Sequence, residues 1–238
     1  MRLTVLAVSL AALAAACTQP APEAPGEAPA PATDSPAPAD PAVPVPTPPV
    51  SPAPGEQGGA DDWRKVVNAE DASRIGRLDQ AWRMARADAE EAGFADQVEA
   101  LGPLVDPNAG QAGRLQPAPG SYRCRTFHMG SNSPGGLAYI PYGWFRCSVE
   151  LTPGGDLILT KTTGSQRVRG LLYPDSERRL VFVGAAAWGS DETGYPAYGQ
   201  MPERDQVGVF ERIGSDRWRL VLPWPKQDAK LKIMEIAR

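Results

Sequence analysis

The chain has 238 residues, one histidine and a formal net charge of −4, and 14 of its 26 prolines fall between Thr18 and Ala60. That stretch holds five acids and no base or aromatic residue, so it cannot bury enough apolar surface to offset its ordering entropy. Residues 61–238 then carry 23 acids against 23 bases; zero net charge excludes electrostatic capture of nucleic acid, and a single histidine excludes most metal and triad chemistry.

Met1-Arg2 gives a short positive start, Leu3 to Leu13 an apolar run, and Ala14-Ala15-Ala16 precede Cys17. The run is too short to span a bilayer and reads as a signal peptide over residues 1–16. A cysteine directly after small residues resembles the lipobox of bacterial lipoproteins. The resemblance implies a cut before Cys17 and lipidation of its thiol; the alternative is an ordinary secreted protein cut near Ala16. Thr18 in place of Asp resembles the outer-membrane sorting choice. Residues 17–60 then form an Ala/Pro-rich tether in partial polyproline II, and at ~3.1 Å per residue they reach at most about 130 Å. The expected address is the cell envelope, lipid-anchored at the outer membrane and facing the periplasm.

Residues 61–118 read as a helical segment. Asn68 is an N-cap, followed by the first-turn acids Glu70 and Asp71. Ile75, Leu78, Trp82, Ala85 and Ala89 recur at spacings of three and four, which predicts one long helix ending at Gly93. A short helix is expected over Ala95 to Leu101, before Pro103. Trp82 is expected as a core anchor.

From residue 119 the pattern becomes short alternating runs between turn residues. Eight strands are expected: 120–128, 144–151, 156–162, 166–173, 179–186, 206–213, 217–222 and 231–236. Tight turns at 152–155, 174–177 and 214–216, with no helix between strands, predict an eight-stranded antiparallel up-and-down barrel over 119–238. The rival is an open sandwich of the same strands. Alternation turns Tyr122, Cys124 and Thr126 inward on the first strand, and Phe145, Cys147 and Val149 inward on the second. Cys124 and Cys147 are then placed to form a disulfide in an oxidising compartment, the alternative being two buried thiols.

Gly120-Ser-Tyr-Arg-Cys124, Tyr142-Gly-Trp-Phe-Arg-Cys147, Thr163-Gly-Ser-Gln-Arg167 and Arg217-Trp-Arg-Leu-Val-Leu-Pro223 occur in that order. With the leading Asp62-Trp63-Arg64 they resemble an uncharacterised domain-of-unknown-function family of secreted and lipid-anchored, mostly alphaproteobacterial, proteins. That resemblance implies no activity. The opening Gly-x-Tyr strand and the meander are also similar to calycin barrels (lipocalins, avidins and periplasmic protease inhibitors), an architectural likeness that fixes no function.

In a meander, alternate connections share one rim. The connections 129–143, 163–165, 187–205 and 223–230 are expected there, and three of them are long. The candidate ligand-binding residues of that rim are His128, Tyr139, Tyr142, Trp188, Tyr195, Tyr198 and Trp224. They predict binding of a small apolar ligand, a glycan or an envelope protein; the alternative is that the rings pack as a second core. Asp191, Glu192, Glu203 and Asp205 match no calcium loop, and no metal, cofactor or catalytic residue is assigned. Arg123, Arg125, Arg146, Arg167 and Arg169 are expected on an outward basic face. The leading function is a lipid-anchored envelope binding protein using its barrel rim. The alternative is an inhibitor or accessory factor of an envelope enzyme, with an enzyme of new type third.

Overall fold

The computed structural model describes residues 62–227 and 229–238. The expected signal peptide, Cys17 and the tether lie outside the described residues. Eight strands close into one antiparallel barrel in sequence order: β1 (Gly120–Ser131), β2 (Tyr139–Leu151), β3 (Leu157–Lys161), β4 (Gln166–Ser176), β5 (Arg179–Trp188), β6 (Asp205–Gly214), β7 (Arg217–Pro223) and β8 (Ala229–Ala237). β8 pairs back onto β1, Arg123 opposite Ala237, so no strand edge is left to recruit another chain.

Every strand but β3 runs past its expected range, and the extensions of β1 and β2 change a connection. β1 continues to Ser131 and β2 starts at Tyr139, so the connection expected over 129–143 shrinks to 132–138. The register shifts between Arg125 and Phe127 as Phe127 comes opposite Pro141. Proline cannot donate to a ladder, and a bulge is where a strand tolerates one. The alternation breaks there, which is why the sequence pattern resembles a loop.

Period-two alternation sorts the barrel wall as expected. Even-numbered residues of β1 and, from Phe145 to Val149, odd-numbered residues of β2 face in, and Cys124 and Cys147 form a disulfide with Cα atoms 5.9 Å apart. The inner core is dense at the end bearing the tight turns, where Tyr122 and Trp218 meet edge to face at 5.8 Å beside Phe182, Phe210 and Leu220. Gly170 and Gly184 are direct cross-strand partners on that inward phase. A Cβ on Gly184 would lie 2.1 Å from the Arg169 carbonyl oxygen and 2.5 Å from Gly170 Cα, so the sheet bends here only because both side chains are absent.

The outer face of the wall would expose rows of Val, Ile and Leu, and the helices cover much of it. The one long helix expected is two, α1 (Ala69–Gly76) and α2 (Leu78–Glu91), followed by α3 (Ala95–Glu99). Asn68 caps α1 as expected, accepting from the Asp71 amide at 2.8 Å. The break falls at Arg77, with φ −102° and ψ 20°. Its cause is the curvature of what lies beneath. Ile75 packs with Val181, Val207 and Val209, whereas Trp82, Ala85 and Ala89 pack with Phe127, Leu231 and Ile233. One straight helix cannot serve both patches of a round wall, and Gly76 is a weak helix former at the corner.

After α3, a 3₁₀ turn at Gly102–Leu104 leaves carbonyls pointing at the barrel. Arg219, 1% exposed, donates to the carbonyl oxygens of Pro103, Leu104 and Asp106 and pairs with Glu211 at 2.7 Å. One guanidinium thus fastens the helical segment to β6 and β7.

Candidate functional site

The other end of the barrel is not filled. A cavity of about 140 Å³ is lined from every strand but β6, with Ser165 and Gln227 contributed by the connections that follow β3 and β7. Its apolar wall is Phe145, Val168, Ala186, Leu222 and Met234. Its polar wall is Thr126, His128, Lys161, Gln166, Arg167 and Lys232, with Tyr142, Ser165 and Gln227 at the opening. Among the described residues lining it there is no Asp or Glu.

The strands deliver these groups by phase. Lys161 ends β3 two residues beyond inward-facing Leu159, and Lys232 precedes inward-facing Met234 and Ile236 on β8. Both lysines are buried. Lys161 Nζ donates to the Gln166 carbonyl oxygen at 2.6 Å and lies 3.9 Å from the Phe145 ring centroid. Burial, with the Arg167 charge adding to it, lowers the Lys161 ammonium to about 8. His128 ends the inward row of β1, 4% exposed, and its ring meets Tyr142 edge to face at 4.9 Å. Burial, and then the ammonium groups of Lys232 and Lys161, push its imidazole down to about 3. His128 is therefore a neutral hydrogen-bonding group at any physiological pH.

Arg167 departs from its expected place on an outward face. Its backbone phase is outward, yet the guanidinium lines the mouth, donating to the carbonyl oxygens of Gly189 and Glu192 at 3.2 and 2.5 Å. Its Nε is buried without a hydrogen-bond partner. The other four arginines do face out. Arg123 and Arg125 flank the exposed Trp144 at 4.5 and 4.7 Å, Arg125 also pairs with Glu235, and Arg169 lies 3.6 Å from Glu150. Arg146 is exposed.

The structure brings together only part of the expected rim. His128 and Tyr142 line the cavity. Trp188 ends β5 opposite Gln166 and packs on the inner core, with Arg204 stacked 4.6 Å over its ring. Tyr195 lies over the mouth, donating its hydroxyl to the Lys161 carbonyl oxygen at 2.6 Å. The remaining three belong to the outer packing. Tyr139 sits beside Phe94, ring centroids 5.5 Å apart, in the cluster under α2. Tyr198 donates to buried Asp71 at 2.6 Å and accepts from the Asn68 amide. Trp224 packs against the α2 cluster with Arg77 over its ring. Those three rings fulfil the second-core alternative, because apolar rows on the barrel wall attract them more than open water does.

The loop carboxylates diverge from the cavity. Glu192 holds Arg204 at 2.7 Å and accepts from the Trp188 amide. Asp205 lies outside the wall, fully buried, accepting from the Gly199 amide, and burial raises its pKa. No group of three or more metal-ligating side chains occurs among the described residues.

Thr126 lines the cavity as its expected inward phase requires, whereas sequence reasoning missed Lys161, Lys232 and Gln166 as lining groups, although the signal for the lysines was present. Extending the inward phase to the ends of β3 and β8 places both lysines inside. A family model described as a domain of unknown function (DUF4893) matches residues 63–236. No curated protein and no solved structure matches the chain.

Proposed function

The chain belongs to this domain-of-unknown-function family, DUF4893, and we propose that it is a cell-envelope binding protein whose barrel mouth receives a small ligand. The observation that carries the reading is the cavity itself: about 140 Å³, floored by apolar side chains and ringed by buried polar ones at one end of a closed barrel. Small-molecule sites have that composition, and barrel mouths are a usual place for them. An apolar cavity of comparable size, about 150 Å³, accommodates benzene in another protein, so the buried part of the ligand is a single small ring or a short branched chain. Cys17 and the tether 17–60 would hold the barrel to the outer membrane, facing the periplasm.

The loop over the mouth bears on the alternative of an inhibitor inserting loops into a partner. Residues 189–204 are tied down through Arg167, through the Glu192–Arg204 pair, and through Tyr195 and Tyr198. A bound-down loop favours a lined pocket over a projecting finger. The rings of Trp188, Tyr195 and Trp224 each carry a guanidinium over them, which leaves little flat face for a sugar. Methyl NMR of the full chain titrated with toluene and benzoate tests the reading. Shifts confined to the methyls of Val168, Ala186, Leu222 and Met234 are expected; no shift with either probe would remove it.

A further inference from the structure

Resting on the binding reading above, we infer that the mouth selects a small carboxylate carried on an apolar body, its charge held between the Lys161 ammonium and the Arg167 guanidinium. Lys161 is buried and Arg167 half-buried at the mouth, and a buried cation is rarely left without a counter-charge. Lys161 is 6% exposed, and among the described residues its ammonium meets a backbone carbonyl and the Phe145 ring but no acid. Arg167 spends one terminal nitrogen on two backbone carbonyls and forms no ion pair with a described residue. Its Nε–H is buried and unmatched.

The Arg167 Nε–H is thus an unmet donor on a residue of the lining itself. Unmatched buried donors call for an acceptor, and a carboxylate is an acceptor-only group with about four lone-pair sites. A neutral ligand would leave Lys161 and Arg167 without a counter-charge. Imidazole adds no positive charge of its own, since His128 stays neutral. The opposite wall, Phe145, Val168, Ala186, Leu222 and Met234, has nothing to offer a fully hydrated ion such as free phosphate but suits a small hydrocarbon body.

The test compares benzoate, benzyl alcohol and inorganic phosphate by methyl NMR and calorimetry on the full chain, using wild type, Lys161→Met and Arg167→Met. Benzoate is expected to bind on the order of tenfold tighter than benzyl alcohol. Lys161→Met should abolish that preference. If Lys161→Met fails to fold, Arg167→Met carries the same comparison from the rim. Equal affinity for the acid and the alcohol, or a preference unmoved by these substitutions, would overturn the charge selection and leave the pocket reading standing. Displacement of benzoate by inorganic phosphate would overturn the requirement for an apolar body. Silence with both aromatic probes would defeat the pocket reading itself.

Discussion

His128 makes the pH dependence of the fold a single-residue question. Its imidazole titrates near 6.5 in the unfolded chain and at about 3 in the barrel, because burial disfavours the charged ring and the ammonium groups of Lys232 and Lys161 oppose it further. Between those values the unfolded state binds the proton and the folded state does not. Stability from this group is therefore complete above pH 6.5 and is lost as pH falls toward 3, by roughly 3 kcal/mol between pH 7 and pH 4. In denaturant melts, the loss of stability between pH 7 and pH 4 should be smaller in His128→Gln than in wild type by about this amount. Parallel curves would mean that His128 is not held neutral. Trp224 provides a contrast among the aromatics. It packs under α2 with φ 47°, a left-handed backbone uncommon for a bulky residue, and touches none of the cavity. Trp224→Ala should cost about 2 kcal/mol, less than full burial would, and leave benzoate binding unchanged. A binding defect without loss of stability would return Trp224 to the mouth.

At the scale of elements, strand phase was the part of the sequence that could be read. The alternation through Cys124 on β1 and Cys147 on β2 places both sulfurs inside and paired. Reducing that bridge, or replacing both cysteines by serine, should cost about 3 kcal/mol on the chain-entropy account of a 24-residue loop. Alkylation without reductant should label neither thiol in the native protein, and labelling of both would reject the pairing. Helix continuity was less legible. An unbroken apolar stripe from Ile75 to Ala89 describes one face of one helix, and nothing local records that the barrel wall curves between the patch under Ile75 and the patch under Trp82. The same limit explains the site. Lys161 and Lys232 were readable by phase, whereas Arg167 was not, because its backbone faces out and only the folded 189–204 loop turns its guanidinium over the rim. Tyr139, Tyr198 and Trp224 looked like rim residues because they lie in or beside loops, yet partners distant in sequence, Phe94, Asp71 and Arg77, decide where each ring rests.

At the scale of the whole molecule, attachment and binding are separable. The anchor proposal rests on the residues before Thr18, and the pocket proposal on the barrel. Replacing Cys17 with Ser should move the protein from the membrane fraction to the soluble periplasmic fraction, or leave it uncut, without altering benzoate affinity. Mature, membrane-bound Cys17→Ser protein would contradict lipid anchoring. The most direct measurement of the central claim is a crystal structure of the chain purified from its own cells with no ligand added. The account predicts continuous non-protein density in the mouth, a small apolar body against Val168 and Met234 and an acid group between Lys161 and Arg167. A mouth occupied by the protein's own Tyr142 or Gln227 side chains, with Lys161 turned out to solvent, would contradict it.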